Sequence, residues 1–321
     1  MQKIVEQILM QKAARLTPRQ RVLRLPRPNM PRVPLEIERR YYSDLIKMVV
    51  NNLEEITRRF LMPALPSLLA EAKQDLPTFD SQVSRRDNYG RTIDTLFSIM
   101  RVAFARQLTV NEIDEVTRKY AEQGKEFNKT ELSKNLIKVL GVNPIIAEPY
   151  LDPIMRQFID ENTNLIRSIG EQYFNQVQTD TYNHIQVGVY NKEYATKIKA
   201  EYEQEFQRQF ERGILQRRVN NADARARLIA RDQISKYNGQ LNKTRQTALG
   251  ITKYKWITAG DERVRDSHAK LHGKIFSWDN PPTINGRQLN PGDDYQCRCN
   301  ALPVFDQGVT ENKNLLRLLN S

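Results

Sequence analysis

Four side chains in the C-terminal part of the chain are of the types that bind a transition metal. His268 and His272 are spaced i, i+4, which places both on one face of a helix. Cys297 and Cys299 follow in the sequence Cys-Arg-Cys. Imidazole nitrogen and thiolate sulfur are preferred ligands of zinc, and four of them complete a tetrahedral structural site. The residue types and spacing therefore predict a structural zinc site.

Three interpretations of these residues stay open from the sequence. The first is the zinc site, with Asp261 as a substitute ligand for His272. The second is a pair of buried, reduced cysteines beside hydrogen-bonded histidines, because alternate residues of a flat strand point to opposite faces. The third is a Cys297–Cys299 disulfide, which would be strained across a single residue. A module of about 55 residues is near the size that needs a staple, which favours the metal.

Helical periodicity predicts most of the elements that position these residues. Residues 17–34 hold five prolines, which predict an extended arm of polyproline character. The helices predicted from apolar residues at three- and four-residue spacing cover 35–62, 87–108, part of 110–140, a stretch after Pro153, 191–211 and 222–249. Pro63 and Pro66 are expected to end the first of them, and Gly213 to interrupt the chain before the last.

The pattern changes after Gly250. Residues 252–258, 274–278 and 297–305 are predicted as short strands, and residues 261–273 as a short helix. Trp256 and Trp278 are expected to pack in a small core. The predicted fold is therefore mainly α, a multi-helix body with an extended basic N-terminal arm, plus a small C-terminal α+β module. The predicted domains are the arm or linker 1–34, the helical body 35–250, the module 251–306 and a C-terminal tail 307–321.

The positive charge lies in two stretches. The chain of 321 residues has 50 Lys and Arg against 38 Asp and Glu, a formal net charge of +12. Residues 1–40 have a balance of +7 and residues 212–274 of +10, whereas residues 41–211 have −4. This segregation predicts a polyanionic partner more than general solubility does. The alternative is that the arginine-rich helices are simply solvated.

Composition excludes two classes of protein. No window approaches the ~18–20 uninterrupted apolar residues that a membrane-spanning helix needs. The first residues lack a secretory signal, and two cysteines cannot staple a secreted disulfide scaffold. We expect the cytosol, or a particle assembled there, and no membrane partner.

Two C-terminal motifs resemble a known family. They are W-x-T-A-G-D-E-R-V-R-D-S-H-A-x-L-H-G from Trp256 to Gly273, and P-G-D-D-Y-Q-C-R-C-N-A-L-P from Pro291. Both are similar to the Mu protein F-like family, the minor head or head morphogenesis proteins of tailed bacteriophages, whose members show Asp-x-Arg-Val-Arg-x-x-His and Cys-Arg-Cys. The resemblance covers about residues 155–305. One departure is His272, where members often carry Asp or another polar residue.

The resemblance implies a structural role in the virion head near the portal vertex, with the host cytoplasm as the place of assembly. It implies no reaction, so we expect a non-enzymatic protein. The expected partners are the portal protein and double-stranded genomic DNA, with the major capsid protein or a scaffolding protein as further candidates. The arm over residues 17–34 is expected to become ordered only with the portal. The alternative function is a metal-dependent nuclease or another DNA-processing enzyme.

The expected DNA contacts are sequence-independent, because no helix-turn-helix, zinc-finger spacing or aromatic RNA-binding signature is present. The candidate DNA-binding residues are Arg217, Arg218, Arg225, Arg227, Arg263 and Arg265. One of the last two is expected to pair with Asp261 or Asp266. Arg298, between the cysteines, is expected to pair with Asp293 or Asp294.

Overall fold

The structure is a computed structural model that describes residues 4–15, 25–75, 88–191 and 199–305. These residues are mainly helical, with a small antiparallel sheet near the C-terminal end. The predicted fold class is therefore confirmed. Residues 16–24 of the predicted arm and the predicted tail 307–321 lie outside the described residues. No helix among the described residues is long and apolar enough to cross a membrane.

The chain forms two compact units, each built from separated stretches. Unit 1 comprises Met1–Arg39, Thr117–Asp160 and Arg231–Ser321, and unit 2 comprises Arg40–Val116 and Glu161–Ala230. The domain boundaries predicted after residues 34, 250 and 306 divide the chain in sequence order, and they stay predictions.

Helices make up most of both units. In chain order they are α1 (Ile4–Ala14), α2 (Leu35–Leu45), α3 (Asn51–Ile56), α4 (Met62–Gln74), α5 (Asn88–Gln107), α6 (Val110–Leu140), α7 (Asp152–Tyr190), α8 (Lys199–Phe210), α9 (Gln216–Ala248) and α10 (Asp266–Ala269). Wide π-helical turns continue the helical backbone at Ile46–Val50, Thr57–Leu61 and Glu211–Leu215.

Thr109 and Glu112 form a capping box at the start of α6, in which each side chain accepts a hydrogen bond from the other's backbone N–H.

The expectation that Pro63 and Pro66 end a helix is wrong. Pro63 lies in the first turn of α4, where its missing N–H is tolerated, and Pro66 lies inside the helix. Pro66 cannot donate to the carbonyl of Met62, four residues earlier. The side chain of Gln207 donates to that carbonyl instead, at 2.8 Å. A residue distant in sequence thus satisfies the backbone group that the proline leaves unpaired.

Gly213 does not interrupt the helical backbone as expected. It lies within the π-helical turn Glu211–Leu215, which leads from α8 directly into α9. No atom lies within 4 Å of the position that a Cβ of Gly213 would occupy. The glycine is therefore not required there by a close contact. Residues 192–198, at the start of the helix predicted over 191–211, lie outside the described residues.

The N-terminal stretch is held by unit 1 itself. Val5 and Leu9 of α1 are buried in a hydrophobic cluster with Leu136 and Phe305. Residues 25–34 have no regular secondary structure, but the backbone N–H of Asn29 donates to Asn135 Oδ1 at 2.6 Å. These residues therefore have a defined place without a portal, contrary to the expectation that they become ordered only in that complex. The helix α1 precedes residues 17–34, the stretch for which an extended conformation is predicted.

The sheet belongs to unit 1 and lies beside α9. Its strands are β1 (Lys253–Ile257), β2 (Ile275–Ser277) and β5 (Asn300–Pro303), in the order β2-β1-β5 and all antiparallel, while β3 (Thr283–Ile284) and β4 (Arg287–Gln288) form a separate hairpin. β5 is joined to α9 by polar side chains one helical turn apart. Asn238 and Asn242 donate to Asn300 Oδ1, and Gln246 donates to the carbonyl of Ala301. This register determines where the residues before β5 lie.

Candidate metal centre

Three of the four predicted metal ligands converge in the small core beside β1. The Nδ1 atom of His268 lies 3.5 Å from the Sγ of Cys297 and 3.5 Å from the Sγ of Cys299. All three residues are buried, and the potential ligand atoms lie within 4.8 Å of one another. The core around them includes Trp256 and Trp278, which are 0 % and 2 % exposed, as expected. Both cysteines are free thiols, so the disulfide interpretation does not describe this structure.

The cysteines share a direction because they precede the last strand. β5 begins at Asn300, so the alternation of a flat strand does not apply to Cys297 and Cys299. The backbone at Gln296 has a φ of 52°, in the left-handed region that is uncommon outside glycine. Its N–H donates to Asp232 Oδ1 of α9 at 2.6 Å. A turn fixed from α9 thus orients both thiols toward His268.

A close backbone contact sets the distance between α9 and this turn. A Cβ added to Gly239 of α9 would lie 2.7 Å from the carbonyl oxygen of Pro291, and Gly292 has a φ of 98°. At Gly239 any side chain would collide with this oxygen, and at Gly292 the positive φ favours glycine over other residues. Gly239 in α9 and Gly292 in the facing loop therefore together set the position of the segment that leads to the cysteines.

His272 is not part of the cluster. The helix α10 ends at Ala269, so the i, i+4 argument fails because the helical turn does not reach residue 272. His272 Nδ1 instead lies 2.8 Å from Thr258 Oγ1, and the residue is exposed. Asp261, the predicted substitute, is paired with Arg298. Among the described residues, the cluster therefore offers three ligands.

Asp294 lies behind the imidazole, and its position was not predicted. Its Oδ2 is 3.3 Å from His268 Nε2, on the ring edge opposite the sulfurs. Arg265 and Arg287 each approach this carboxylate at 3.0 Å, and the N–H of Tyr295 donates to it. The signal in the sequence was the Asp293-Asp294 pair just before Cys-Arg-Cys. The expected pairing of Arg298 with that pair is wrong, because Arg298 pairs with Asp261. Of Arg263 and Arg265, one of which was expected to pair with Asp261 or Asp266, Arg265 pairs with Asp294 instead.

The electrostatics of the cluster favour a thiolate on Cys297. A hydrogen bond from the Cys299 thiol lowers the pKa of Cys297, and His268 lowers it further against the effect of burial. The same contact and burial raise the pKa of Cys299. The hydrogen bond with Cys297 raises the pKa of His268, although burial opposes it. Burial also opposes the change at Asp294, whose pKa is lowered by the Tyr295 N–H and by Arg265.

The three potential ligands line a cavity of about 270 Å³. Four arginines also line it: Arg231, Arg263, Arg265 and Arg298. Asp261 is an acidic residue of the lining. Glu38 lies close enough for Arg231 and Arg298 to lower its pKa, but burial outweighs them and raises it. The cavity therefore carries an excess of positive charge beside the thiols.

The other predicted DNA-binding residues lie in unit 2 and have partners. Arg218 binds both carboxylate oxygens of Asp180, at 2.7 and 3.0 Å, and Arg217 approaches the same carboxylate at 3.1 Å. Arg225 donates to Ser168 Oγ at 2.9 Å. Arg227 donates to the hydroxyl of Tyr42 at 2.8 Å. The side chains of Arg217 and Arg227 remain 57% and 65% exposed to solvent, whereas that of Arg218 is 18% exposed.

Comparison with known proteins gives one family and two curated relatives. Residues 175–302 match the family model described as "Phage Mu protein F like protein". An uncharacterized protein of Haemophilus influenzae is 32% identical over 207 residues, which cover 64% of this chain and 42% of that protein. An uncharacterized protein of Methanocaldococcus jannaschii is 39% identical over 83 residues, which cover 26% of this chain and 12% of that protein. The chain thus spans less than half the length of either relative. No solved structure gives a significant match.

The matched region contains the structural features described above. It includes α9, β1, His268 with its supporting Asp294, and both cysteines. The family match and the two C-terminal motifs fall on the same residues, which confirms the predicted resemblance. Over residues 175–302 the chain is similar to the Mu protein F-like family of phage proteins.

Proposed function

We propose that the protein is a structural minor head protein that binds the portal vertex of a tailed bacteriophage head. It contacts genomic DNA without sequence specificity during head assembly, packaging or ejection. The observation that carries this proposal is the family match over residues 175–302. The proposed location is the virion head near the portal vertex, and the host cytoplasm during assembly. The proposed role is not enzymatic.

The portal contact is proposed for residues 25–34. This stretch has no secondary structure of its own, and Arg27 and Arg32 are exposed. Its backbone is held by unit 1, since Asn300 Nδ2 donates to the carbonyl of Arg32 at 2.9 Å. The stretch therefore presents two cations from a fixed backbone, which suits an acidic surface on a ring of identical subunits.

The test is co-purification of the full chain with the portal protein of the same phage. Deleting residues 1–34 would also remove Val5 and Leu9 from the core, so charge reversal is the better change. Arg27→Glu with Arg32→Glu should reduce recovery with the portal at least tenfold, a loss of about 1.4 kcal/mol or more. Arg118→Glu, at an exposed site, is the control. Equal recovery of both variants would remove residues 25–34 from the interface.

The DNA contact is proposed for exposed arginines of the basic stretch. Arg217 and Arg227 are the accessible members of the predicted set in unit 2. Arg218 and Arg265 chiefly hold the carboxylates of Asp180 and Asp294, so they are less able to reach phosphate. Lys and Arg contacts with phosphate give salt-sensitive affinity without sequence preference.

A metal-dependent nuclease is the second candidate, because the cluster has three protein ligands rather than four. A catalytic zinc keeps a position for water, and arginines beside it can stabilise a phosphoryl transition state. Incubation of supercoiled plasmid with the zinc-loaded chain tests this function. Nicking that His268→Ala abolishes would favour the enzyme, and intact plasmid with added zinc, magnesium or manganese supports the structural role.

A further inference from the structure

We propose that His268 Nδ1 and the thiolates of Cys297 and Cys299 bind one zinc ion whose fourth coordination position faces the arginine-lined cavity and accepts an oxyanion. This site differs from the closed four-ligand site that the sequence predicts. It does not depend on portal or DNA binding.

The distances within the cluster agree with tetrahedral zinc. Zn–N bonds of about 2.0–2.1 Å and Zn–S bonds of about 2.3 Å at tetrahedral angles separate nitrogen from sulfur by about 3.5–3.6 Å. Both sulfurs lie 3.5 Å from the same nitrogen. One imidazole nitrogen offers one proton or one lone pair, so it cannot form two good hydrogen bonds to two sulfurs at once. A shared ion accounts for both distances.

The donor atoms also select the metal. Two thiolates with one imidazole suit zinc and disfavour magnesium or calcium, which prefer oxygen ligands. The surrounding core of Trp256, Trp278 and Ala301 is apolar and nearly closed to solvent. Binding of a divalent cation would compensate the charge of two thiolates next to such a core.

Asp294 supplies the outer contact that zinc-binding histidines usually have. Its carboxylate lies 3.3 Å from His268 Nε2, and two arginines hold it there. Nε2 has no hydrogen-bond partner among the described residues, so Asp294 acts on the ring by its charge. A carboxylate near the second ring nitrogen favours Nδ1 as the metal ligand. Asp294 is therefore a positioning residue of the site, since the ring lies between it and the sulfurs.

The fourth position faces charge that favours an anion. The three ligands and Arg263 line the same cavity, and Arg263 is exposed. The Nε atom of Arg231, which also lines the cavity, is buried without a hydrogen-bond partner among the described residues. A phosphate or carboxylate oxygen bound to zinc would meet both guanidinium groups.

Zinc content of the full chain, purified without chelator, tests the metal. We expect about one zinc per chain in the wild type and less than a tenth of that in His268→Ala, Cys297→Ser and Cys299→Ser. His272→Ala is the matched control and should keep its zinc. Asp294→Asn should keep the metal but lower its affinity roughly 10–100-fold. Wild-type protein with negligible zinc and two thiols that react with Ellman's reagent would overturn the site.

Cobalt substitution of the wild-type chain tests the open position without any destabilising variant. Cobalt should give thiolate charge-transfer absorption and the strong visible bands of a tetrahedral ion. Inorganic phosphate should shift the visible bands, and acetate serves as the carboxylate arm. Arg263→Gln should weaken the phosphate response several-fold without loss of metal. Bands that neither anion shifts would overturn the open position and would indicate a fourth protein ligand.

Discussion

Two arginines of the basic stretch 212–274, Arg217 and Arg218, bind the carboxylate of Asp180. Burial acts to raise its pKa, but the hydrogen bonds and charges of Arg218 and Arg217 outweigh it, so that the pKa is lowered. Two arginines that the charge pattern assigned to DNA thus stabilise a carboxylate of their own unit. The two functions are separable, because Arg217 is 57% exposed and Arg218 only 18%.

Replacing Asp180 should make the free energy of unfolding less sensitive to acidic pH. A pKa that is lower in the folded state than in the unfolded state contributes stability above the ordinary pKa, and this contribution is lost as the pH falls through the folded value. Asp180→Asn should lower the free energy of unfolding by about 1–2 kcal/mol near neutral pH. The difference from wild type should shrink below about pH 4.

Urea denaturation followed by circular dichroism at several pH values measures this effect. Asp279→Asn, at an exposed site, is the control and should show little difference at any pH. A loss of stability in Asp180→Asn that stayed constant from neutral to acid pH would show that the carboxylate charge is not responsible.

The candidate metal site illustrates what residue types can and cannot predict. His268, Cys297 and Cys299 were predicted from their chemistry alone, and their convergence is confirmed. Two features were out of reach of the sequence. The end of α10 at Ala269 removes His272 from the site, and the left-handed backbone at Gln296 lets both thiols face one side. Both depend on local turns that short periodic patterns do not specify.

Among the elements, α9 does most to position the site. One face of it binds the residues of β5 through Asn238, Asn242 and Gln246, and Asp232 binds the turn before Cys297. Arg245, which is fully buried, pairs with Glu148 at 2.6 Å. The sequence predicts this helix as basic, with solvation as one alternative, whereas its unit 1 part forms a polar contact surface with β5.

Two glycine substitutions separate contact from helix propensity. Gly239→Ala should push the turn at Pro291 away from α9, because the new Cβ would lie 2.7 Å from a backbone oxygen. We expect lower stability and weaker zinc retention. Gly213→Ala meets no atom within 4 Å and should instead stabilise the protein by about 0.5–1 kcal/mol. Thermal denaturation and zinc content check both. A Gly239→Ala protein with wild-type stability and zinc would contradict the proposed contact.

The helices were predicted better than their connections. Apolar spacing correctly predicted α5, α6 and α9, because a buried stripe repeats with the helical period. The continuity through Pro66 could not be predicted, because it depends on Gln207, which lies 145 positions after Met62, the residue whose carbonyl it binds. Helix propensity gives only the local free-energy cost of a proline inside a helix. The tertiary structure is needed to show that Gln207 binds the carbonyl of Met62.

The charge pattern is a property of the whole molecule. The stretch 212–274 carries +10, whereas residues 41–211 carry −4. An uneven charge distribution steers a polyanion toward the basic stretch, and the effect falls as salt screens it. The predicted interaction with duplex DNA therefore depends on ionic strength more than on sequence.

Duplex binding should be micromolar or weaker and should fall steeply between low and physiological salt. Arg217→Gln with Arg227→Gln should reduce the slope of log K against log salt by about two, since each phosphate contact contributes about 0.9. Fluorescence anisotropy with two unrelated duplexes measures both quantities. Arg59→Gln with Arg91→Gln removes the same charge from exposed sites in the acidic stretch and should leave the slope unchanged. Binding that ignores salt would contradict the prediction.

The interleaving of the two units has a consequence for how the chain is made. Unit 1 is assembled from three stretches of sequence, and the contact between Arg32 and Asn300 joins residues 268 positions apart. Such contacts slow folding, because a long loop must close before they form. During synthesis on the ribosome, unit 1 cannot complete its folding until β5 has been synthesised, because α1 and β5 belong to the same unit. During that interval the apolar residues of α1 and α6 lack the part of their hydrophobic cluster that Phe305 supplies, and we expect this incomplete cluster to be prone to aggregation.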